Sequence, residues 1–456
     1  MSVMKRKKFK LSTSQFILLG FMAVILLGSV LLSLPISTVD GVSVSYIDAL
    51  FTATTATCVT GLVTVPTFST WSLFGQIVIL ILIQVGGLGI VTVMSGAMIL
   101  FHRKIGIADR LLIQDAFNLN TLHGLVAFVK KVLAGTLIVE AVGALLYMFV
   151  FVPDFGLKGI WISVFNSVSA FCNAGIDIFA ADSLCGYAKN PLINIVTCML
   201  IILGGLGYIV WWDIIRVYSY RKTGIKSRIN RLTLHSKIAI LATVLFIVIG
   251  AVLIFVFEYN NPDTIKDFFL LEKIQASVFQ SVTCRTAGFM TIPQENFTNA
   301  SAVVSVILML VGGSPVGTAG GIKTVTVIIL ICAAYSVIKG NDDVNIFGRR
   351  ISEQAIRKSV AVTGLAILIA VLSTVLLAFV TPNVGLTDIV YETVSATATV
   401  GLSRNLTSGL NLYGKLIIIF TMYFGRIGPI SLAFALKFKK SNKLIVKNPI
   451  EELSVG

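Results

Sequence analysis

The sequence has little charge for its length. Charged residues make up 12% of its 456 residues, about half the share in a typical soluble domain, whereas hydrophobic residues make up 56%. A soluble fold with this composition would leave a large apolar surface in water, which soluble proteins avoid. The composition therefore argues against a soluble domain and favours an integral membrane protein.

Metal-binding and catalytic patterns are also scarce. The three histidines show no ligand spacing, and the six cysteines form no C-x-x-C pair, so we expect the cysteines to be buried apolar residues. No Walker-type loop is present, and the G-G-L-G strings at 86–89 and 204–207 follow no strand, which favours close helix packing. No nucleophile–base pair stands out. These absences predict a protein that is not an enzyme and carries no cofactor of its own.

Long apolar runs predict several membrane helices. Runs such as 16–34, 74–101 and 238–257 reach the ~20 residues that cross a hydrocarbon core of ~30 Å. The first run follows five basic residues, but it is too long for the core of a signal peptide and has no A-x-A-like exit. We interpret it as the first membrane helix.

The net charge of +15 is concentrated between pairs of apolar runs. Lys and Arg collect at the N-terminus and in segments 103–110, 216–237, 339–358 and 437–447. The loops at 35–46 and 62–70 carry neither. This distribution is the one that the positive-inside rule expects of cytoplasmic segments, and it argues against nucleic acid binding. We predict a multi-pass protein of the cell membrane with both termini in the cytoplasm.

Four Ser/Thr-rich segments resemble one another. Each begins with an aromatic residue and ends at a glycine 9 or 10 positions later: Phe51 to Gly61, Phe165 to Gly175, Phe279 to Gly288, and Tyr391 to Gly401. The glycines are 114, 113 and 113 residues apart, and a second glycine motif follows each of them by 24 to 29 residues. Regular spacing of this kind indicates an internal fourfold repeat.

Each quarter consists of an apolar run, a Ser/Thr-rich segment and a second apolar run. The middle segment is too short and polar to span, so we predict that it is re-entrant. Units that begin and end in the cytoplasm share one orientation about an axis along the membrane normal. We predict an all-α integral membrane fold of four tandem repeats, with eight spanning helices and four re-entrant pore helices in a pseudo-fourfold arrangement around a central pore. The predicted boundaries are a cytoplasmic N-terminal tail at 1–13, repeats at 14–103, 104–220, 221–340 and 341–438, and a cytoplasmic C-terminal tail at 439–456.

The glycine strings suit a dehydrated cation. Potassium channels replace the hydration shell of the ion with backbone carbonyls from four T-V-G-Y-G loops, and inward carbonyls favour glycine. The negative end of each pore helix would also face the axis. We predict that K⁺ binds at a selectivity filter formed by Val59, Thr60, Gly61, Asn173, Ala174, Gly175, Thr286, Ala287, Gly288, Thr399, Val400 and Gly401.

Only the second helix of the third repeat carries an evident break in sequence. Its glycine-rich string at 312–321 is a poor helix former, so its backbone has to be covered by protein or by water in the pore. The alternative is a kinked helix with close glycine packing. We predict a gate below the filter, formed by Gly312, Gly313, Ser314, Gly317, Thr318, Ala319, Gly320, Gly321, Lys323 and Arg426.

Arg426 lies within the apolar run 416–436. A charge at this depth has to face the protein interior or water. We expect its guanidinium to bond the carbonyls of the 312–321 segment and hold it closed. The alternatives are a local barrier to cations and an ion pair with Glu140 or Asp213. For Lys323, extension of the side chain to the cytoplasm is the alternative.

The four degenerate glycine strings and the G-R-I-G-P string at 425–429 resemble the Trk/Ktr/HKT potassium transporters over nearly the whole chain. The chain length, the R-T-A-G string at 285–288 and the G-I-K string at 321–323 are most similar to the Ktr membrane subunit. The resemblance implies channel-like K⁺ uptake that Na⁺ stimulates. It also implies a gating loop, a homodimer in the lipid bilayer, and a cytosolic ring of nucleotide-binding regulatory subunits (KtrA/RCK-like).

A sodium-coupled secondary carrier with alternating access is the alternative function. Such carriers usually combine inverted repeats with discontinuous helices at a midplane site, whereas this sequence predicts parallel repeats and one broken helix.

Overall fold

The computed structural model describes residues 12–103, 105–117, 124–219 and 230–428. The predicted tails lie almost wholly outside these residues. Within them the chain is mainly helical, and the helices fall into four consecutive groups. The first half contains α1 Thr13–Leu32, α2 Tyr46–Cys58, α3 Thr67–Thr70, α4 Leu73–Leu88, α5 Ile90–Leu100, α6 Ile107–Ala116, α7 Leu125–Phe155, α8 Lys158–Cys172, α9 Pro191–Leu206 and α10 Tyr208–Tyr218.

The second half repeats the same order. It contains α11 Leu234–Glu258, α12 Leu270–Thr283, α13 Asn299–Leu310, α14 Thr324–Ile338, α15 Glu353–Val380, α16 Leu386–Ala398 and α17 Leu412–Ile427. A short antiparallel hairpin, β1 Asn345–Ile346 and β2 Arg349–Arg350, joins the third and fourth groups. Each group has a first helix, a pore helix and a second helix, as the sequence predicted.

The four first helices, α1, α7, α11 and α15, form the outer part of the fold. They are the described unbroken helices that are long and apolar enough to cross a membrane, and only 22–33% of their most apolar windows is buried. Their exposed apolar surface suits lipid, because helices satisfy their own backbone hydrogen bonds. Hydroxyl N-caps fix several helix starts: Ser12 begins α1, Thr233 begins α11 and Ser352 begins α15.

The four pore helices, α2, α8, α12 and α16, lie inside this outer layer. They have 13 to 15 residues, and the aromatic residue that marks each repeat is completely buried: Phe51, Phe165, Phe279 and Tyr391. Each aromatic ring therefore anchors a pore helix in the core, which explains its regular appearance in the sequence.

The expectation of a single broken second helix is wrong. The second helix of the first repeat bends by 103° between α4 and α5, and that of the second repeat bends by 95° between α9 and α10. Each bend lies at one glycine in left-handed backbone, Gly89 with φ 81° and Gly207 with φ 86°. Apolar residues on both sides hid these bends from hydropathy. With each bent pair taken as one span, up to six candidate crossings lie within the residues that the structure describes, by length and composition.

Candidate ion pathway

Each pore helix ends in an unusual backbone turn. Left-handed φ angles of 51–70° occur two residues before the repeat glycine, and φ angles of 63–101° occur at the glycine itself. The non-glycine residues are Val59, Asn173, Thr286 and Thr399. Left-handed backbone is strained for residues with a side chain, so the surrounding structure has to hold these four turns in place.

The four glycines form a ring. The position that a Cβ atom would take on each glycine overlaps or closely approaches a carbonyl oxygen of another repeat: Gly61 meets Ala174, Gly175 meets Ala287, Gly288 meets Val400, and Gly401 meets Thr60. The contacts are cyclic. Each glycine meets the carbonyl of the residue that precedes the glycine of the next repeat, and the fourth glycine meets that of the first repeat. Only glycine allows this approach. The structure thus brings the four glycines, and the residue before each of them, into one ring, while ion binding by the twelve predicted filter residues stays a prediction.

A hydroxyl group secures each filter strand from behind. Gly61 N donates to Thr55 Oγ1 at 3.0 Å, Gly401 N to Ser395 Oγ at 3.0 Å, and Ile176 N to Ser169 Oγ at 3.1 Å. In the third repeat Thr283 Oγ1 donates to the carbonyl of Phe289 at 2.7 Å. Sequence reasoning missed these four residues. The signal was available, because each of them follows its repeat's aromatic residue by four positions.

Buried polar side chains also hold the outer loops of the third and fourth repeats. Glu392 accepts hydrogen bonds from Ser403 Oγ at 2.6 Å and Thr407 Oγ1 at 2.5 Å. Gln294, in the third loop, bonds Gln280 at 2.7 Å and Tyr391 Oη at 2.7 Å. The backbone beyond the glycines is therefore fixed by the pore helices as well.

The segment that the sequence predicted as a gate forms a closed loop below the filter. Two backbone hydrogen bonds of 3.0 Å close its base, from Gly312 N to the Ile322 carbonyl and from Ile322 N to the Leu310 carbonyl. The loop then packs against the bend of the second repeat, where Ser314 N and Thr318 N donate to the carbonyls of Gly205 and Gly204. A loop rather than a kinked helix therefore interrupts this second helix.

Arg426 connects the loop to the first repeat. Its Nη1 donates to the Thr318 carbonyl at 2.6 Å, and its Nη2 donates to the Gly86 carbonyl at 2.5 Å. The two carboxylates proposed as ion-pair partners are engaged elsewhere: Glu140 with Gln84, and Asp213 with Arg216. Arg426 therefore bonds a loop carbonyl, as the sequence predicted.

Lys323 turns back onto the loop. Its Nζ lies 2.6 Å from the carbonyl oxygen of Ala319 and donates a hydrogen bond to it. The side chain is thus held at the loop and not extended away from it, which disagrees with the alternative derived from the sequence for this residue.

Two cavities lie on either side of the filter and loop. The outer cavity, of about 400 Å³, is lined by all four filter glycines and by Asp177, Asp182 and Glu295. The inner cavity, of about 380 Å³, is lined by the loop from Val316 to Lys323 in part, by Gly86–Thr92 and by Arg426. Acidic groups therefore face the outer side and cationic groups the inner side. No cluster of metal-ligating side chains occurs among the described residues.

An ion pair ties the first and fourth repeats together at the outer face. Asp48, in the first turn of the non-spanning helix α2, lies 2.5 Å from Lys415 Nζ of α17. Burial acts to raise the pKa of Asp48, but the hydrogen bonds from Lys415 and Ser45 outweigh it and leave that pKa below its usual value. The carboxylate is therefore charged at neutral pH and supports the N-terminal end of the pore helix.

Comparison with known proteins agrees with this architecture. The chain is 37% identical to the potassium/sodium uptake protein NtpJ of Enterococcus hirae over 463 residues, covering 100% of both chains. It is 36% identical to the Ktr system potassium uptake protein B of Bacillus subtilis, covering 99% of this chain and 98% of that protein.

The fold matches the solved structure of the potassium transporter TrkH from Vibrio parahaemolyticus with a TM-score of 0.73. That match has 16% identity and covers 95% of this chain and 86% of the other. The family model TrkH, described as a cation transport protein, matches residues 8–445. The resemblance noted in the sequence is confirmed: this chain is a member of the TrkH family of cation transport proteins.

Proposed function

We propose that this protein is the potassium-translocating membrane subunit of a Ktr-type uptake system, with channel-like permeation. The observation that carries the proposal is the cyclic ring in which each repeat glycine lies against a carbonyl oxygen of another repeat. Backbone oxygens in such a ring can replace the hydration shell of a monovalent cation, and the outer cavity with its carboxylates favours cations at the entrance.

The 312–321 loop is the proposed gate. It lies between the filter and the inner cavity, and Gly320 fits so closely against Thr399 that an added Cβ would overlap its Oγ1. Arg426 holds the loop through Thr318, and its positive charge faces the inner cavity, where it adds an electrostatic barrier to cations. Transport then requires that the loop moves away from the axis.

Regulation and assembly complete the proposal. The names of two relatives, a potassium/sodium uptake protein and a Ktr system potassium uptake protein, support K⁺ as the main substrate and membership of a larger system. Stimulation by Na⁺, a homodimer and control by a cytosolic ring of nucleotide-binding subunits are proposed from the family resemblance. We further propose location in the cell membrane with cytoplasmic termini.

Two arguments were made against a sodium-coupled carrier: parallel repeats and a single broken helix. The second argument no longer holds, because the second helices of two further repeats are bent. The parallel order of the repeats and the carbonyl ring still favour a pore.

Uptake of Rb⁺, a K⁺ substitute, into potassium-deficient cells tests the proposal. We expect the wild type to restore uptake, Gly288→Ser to lose the preference for K⁺ over Na⁺, and deletion of 314–320 to raise uncontrolled flux. Gly364→Ala, on an open surface of α15, is the control. Unchanged selectivity in Gly288→Ser would remove this glycine from the filter. Obligate one-to-one coupling of K⁺ to Na⁺ in proteoliposomes would favour the carrier.

A further inference from the structure

The third filter loop is the one that bonds the start and the end of the gating loop. Arg285 and Thr286 are consecutive residues between the end of α12 and Gly288. Arg285 Nη2 donates to the carbonyl of Gly312 at 3.3 Å, and Gly320 N donates to Thr286 Oγ1 at 3.2 Å. Gly312 starts the loop and Gly320 lies near its end, so the filter residue Thr286 and its neighbour Arg285 hold both ends.

Arg285 is an unusual residue for this position. Arg285 as a residue is 6% exposed, its other described hydrogen bond is to Thr243 Oγ1 at 3.4 Å, and its Nε has no partner among the described residues. The residues three positions before the glycine in the other repeats are Cys58, Cys172 and Ala398. A buried arginine is expensive, so its presence in the repeat that carries the loop points to a role in holding that loop.

Thr286 links loop position to filter shape. Its backbone is left-handed, with φ 70°, and the carbonyl of the next residue, Ala287, lies against Gly175 in the ring. When the loop moves away, Thr286 loses the Gly320 N–H that fixes its side chain. The strained turn is then less restrained, and the Ala287 carbonyl can leave the position that the ring requires.

The base and the middle of the loop are held in different ways. Backbone hydrogen bonds between Gly312 and Ile322, and between Ile322 and Leu310, close the base, and Arg285 ties this base to the third filter loop through the Gly312 carbonyl. The part between Ser314 and Gly320 has no such closure of its own, and it is held by Thr286, by Arg426 and by the carbonyls of Gly204 and Gly205.

We propose that Arg285 and Thr286 are positioning residues that couple the filter to the gating loop, so that ion occupancy of the filter and the position of the loop bias each other. Coupling of two equilibria is reciprocal: a loop that weakens ion binding when it opens is itself closed by a bound ion, by the same factor. The coupling deepens the proposed function and depends on it.

The test uses the full-length protein in potassium-deficient cells and in purified form. Thr286→Val keeps the branched shape and removes the acceptor for Gly320 N. We expect the half-saturating Rb⁺ concentration and the maximal uptake rate each to rise about fivefold, the size expected for one neutral hydrogen bond. The K⁺ concentration that half-maximally raises the Tm of the purified protein should rise with them. Simple structural damage would lower the maximal rate instead.

Thr57→Val is the matched control, because Thr57 Oγ1 is buried and has no hydrogen-bond partner in the described structure. It should leave both uptake parameters unchanged. Arg426→Gln provides the second arm. Because it also frees the loop, adding Thr286→Val to the R426Q background should produce little further change in the half-saturating concentration.

Arg285 supplies an independent variant pair. Arg285→Lys keeps one charged donor toward the Gly312 carbonyl and should shift the half-saturating concentration less than Arg285→Met. Three results would overturn the coupling: Thr286→Val behaving like Thr57→Val, full additivity with Arg426→Gln, or equal effects of the two Arg285 variants. Absence of Rb⁺ uptake by the wild type would overturn the proposed function itself, which separates the two failures.

Discussion

The third repeat and the other three use the same glycine in different ways. Gly86, Gly204 and Gly425 each lie against the carbonyl of a residue near the end of their own pore helix, respectively Thr57, Phe171 and Thr397. The corresponding Gly312 instead lies against the Gly320 carbonyl of its own loop. In three repeats the glycine packs a second helix onto a pore helix, and in the third it closes the base of a loop. The same glycine motif therefore supports a pore helix in three repeats and closes the gating loop in the third repeat.

The comparison predicts that alanine at any of the four filter glycines has a similarly large effect, although the second helices of the repeats differ. Gly401→Ala would push a methyl group onto the Thr60 carbonyl in a backbone with φ 96°, and Gly61→Ala would meet the Ala174 carbonyl. Strain of about 3 kcal/mol or more is expected at such a site. We expect Rb⁺ uptake to fall at least about 100-fold for both variants. Gly364→Ala serves as control. Strong uptake by either filter variant would contradict the prediction that all four glycines are required.

The next largest effect should distinguish the third repeat. Arg426→Gln removes two hydrogen bonds from a charged donor, each worth roughly 1.5–3 kcal/mol, to the carbonyls of Thr318 and Gly86. Since part of this loss is replaced by water, we expect maximal Rb⁺ uptake to rise about tenfold. Arg357→Gln, on an exposed arginine paired with Glu353, is the matched control. Reduced uptake at normal expression would argue that Arg426 supports the fold instead of closing the loop.

A smaller effect, on stability, tests whether the glycines of the second helices support the pore helices. An added Cβ at Gly204 overlaps the Phe171 carbonyl, whereas at Gly205 it meets Asn173 Nδ2 at an ordinary 3.5 Å. We expect Gly204→Ala to lower the free energy of unfolding by about 2 kcal/mol and Gly205→Ala by less than about 0.5 kcal/mol. Thermal unfolding in detergent measures both. Equal Tm values for these neighbouring variants would contradict the packing role.

The smallest effect concerns the outer ion pair. Lys415→Met leaves Asp48 without its cation and should lower stability by about 1 kcal/mol at neutral pH. Because the pKa of Asp48 is lowered in the folded protein, this contribution is present above the unfolded value of about 3.9 and is lost as the pH falls through the folded value. The difference in Tm between wild type and variant should therefore shrink in acid. A difference that is independent of pH would indicate lost packing by the lysine stem.

The sequence predicted the repeat organisation because it depends on local chemistry. An apolar run can be recognised without knowledge of its partners, and the regular spacing of the four glycines marked the places where the structure brings a glycine against a carbonyl of another repeat. Ion binding at the predicted filter residues and gating by the predicted loop residues stay predictions. The cysteines were expected to be buried: Cys58, Cys172 and Cys284 are, whereas Cys185, Cys198 and Cys332 are only partly buried.

Other features depend on contacts between distant residues. The bends at Gly89 and Gly207 lie within apolar runs whose hydropathy does not change, so only tertiary packing reveals them. Arg426 bonds Gly86, which is 340 residues away, and no spacing rule predicts that partner. An alignment of the four repeats shows a hydroxyl residue at Thr55, Ser169, Thr283 and Ser395. Their hydrogen bonds to the filter strands become visible only in the structure.

Those four hydroxyl groups have a consequence for how the pore is made. Each of them acts within its own repeat, over six or seven residues, so every quarter curves its strand without help from the other three. Closure of the ring still needs all four quarters, because each glycine lies against a carbonyl of another repeat. The quarters of this chain differ in sequence around the hydroxyl and the glycine, and all four nevertheless present a left-handed turn two residues before the glycine.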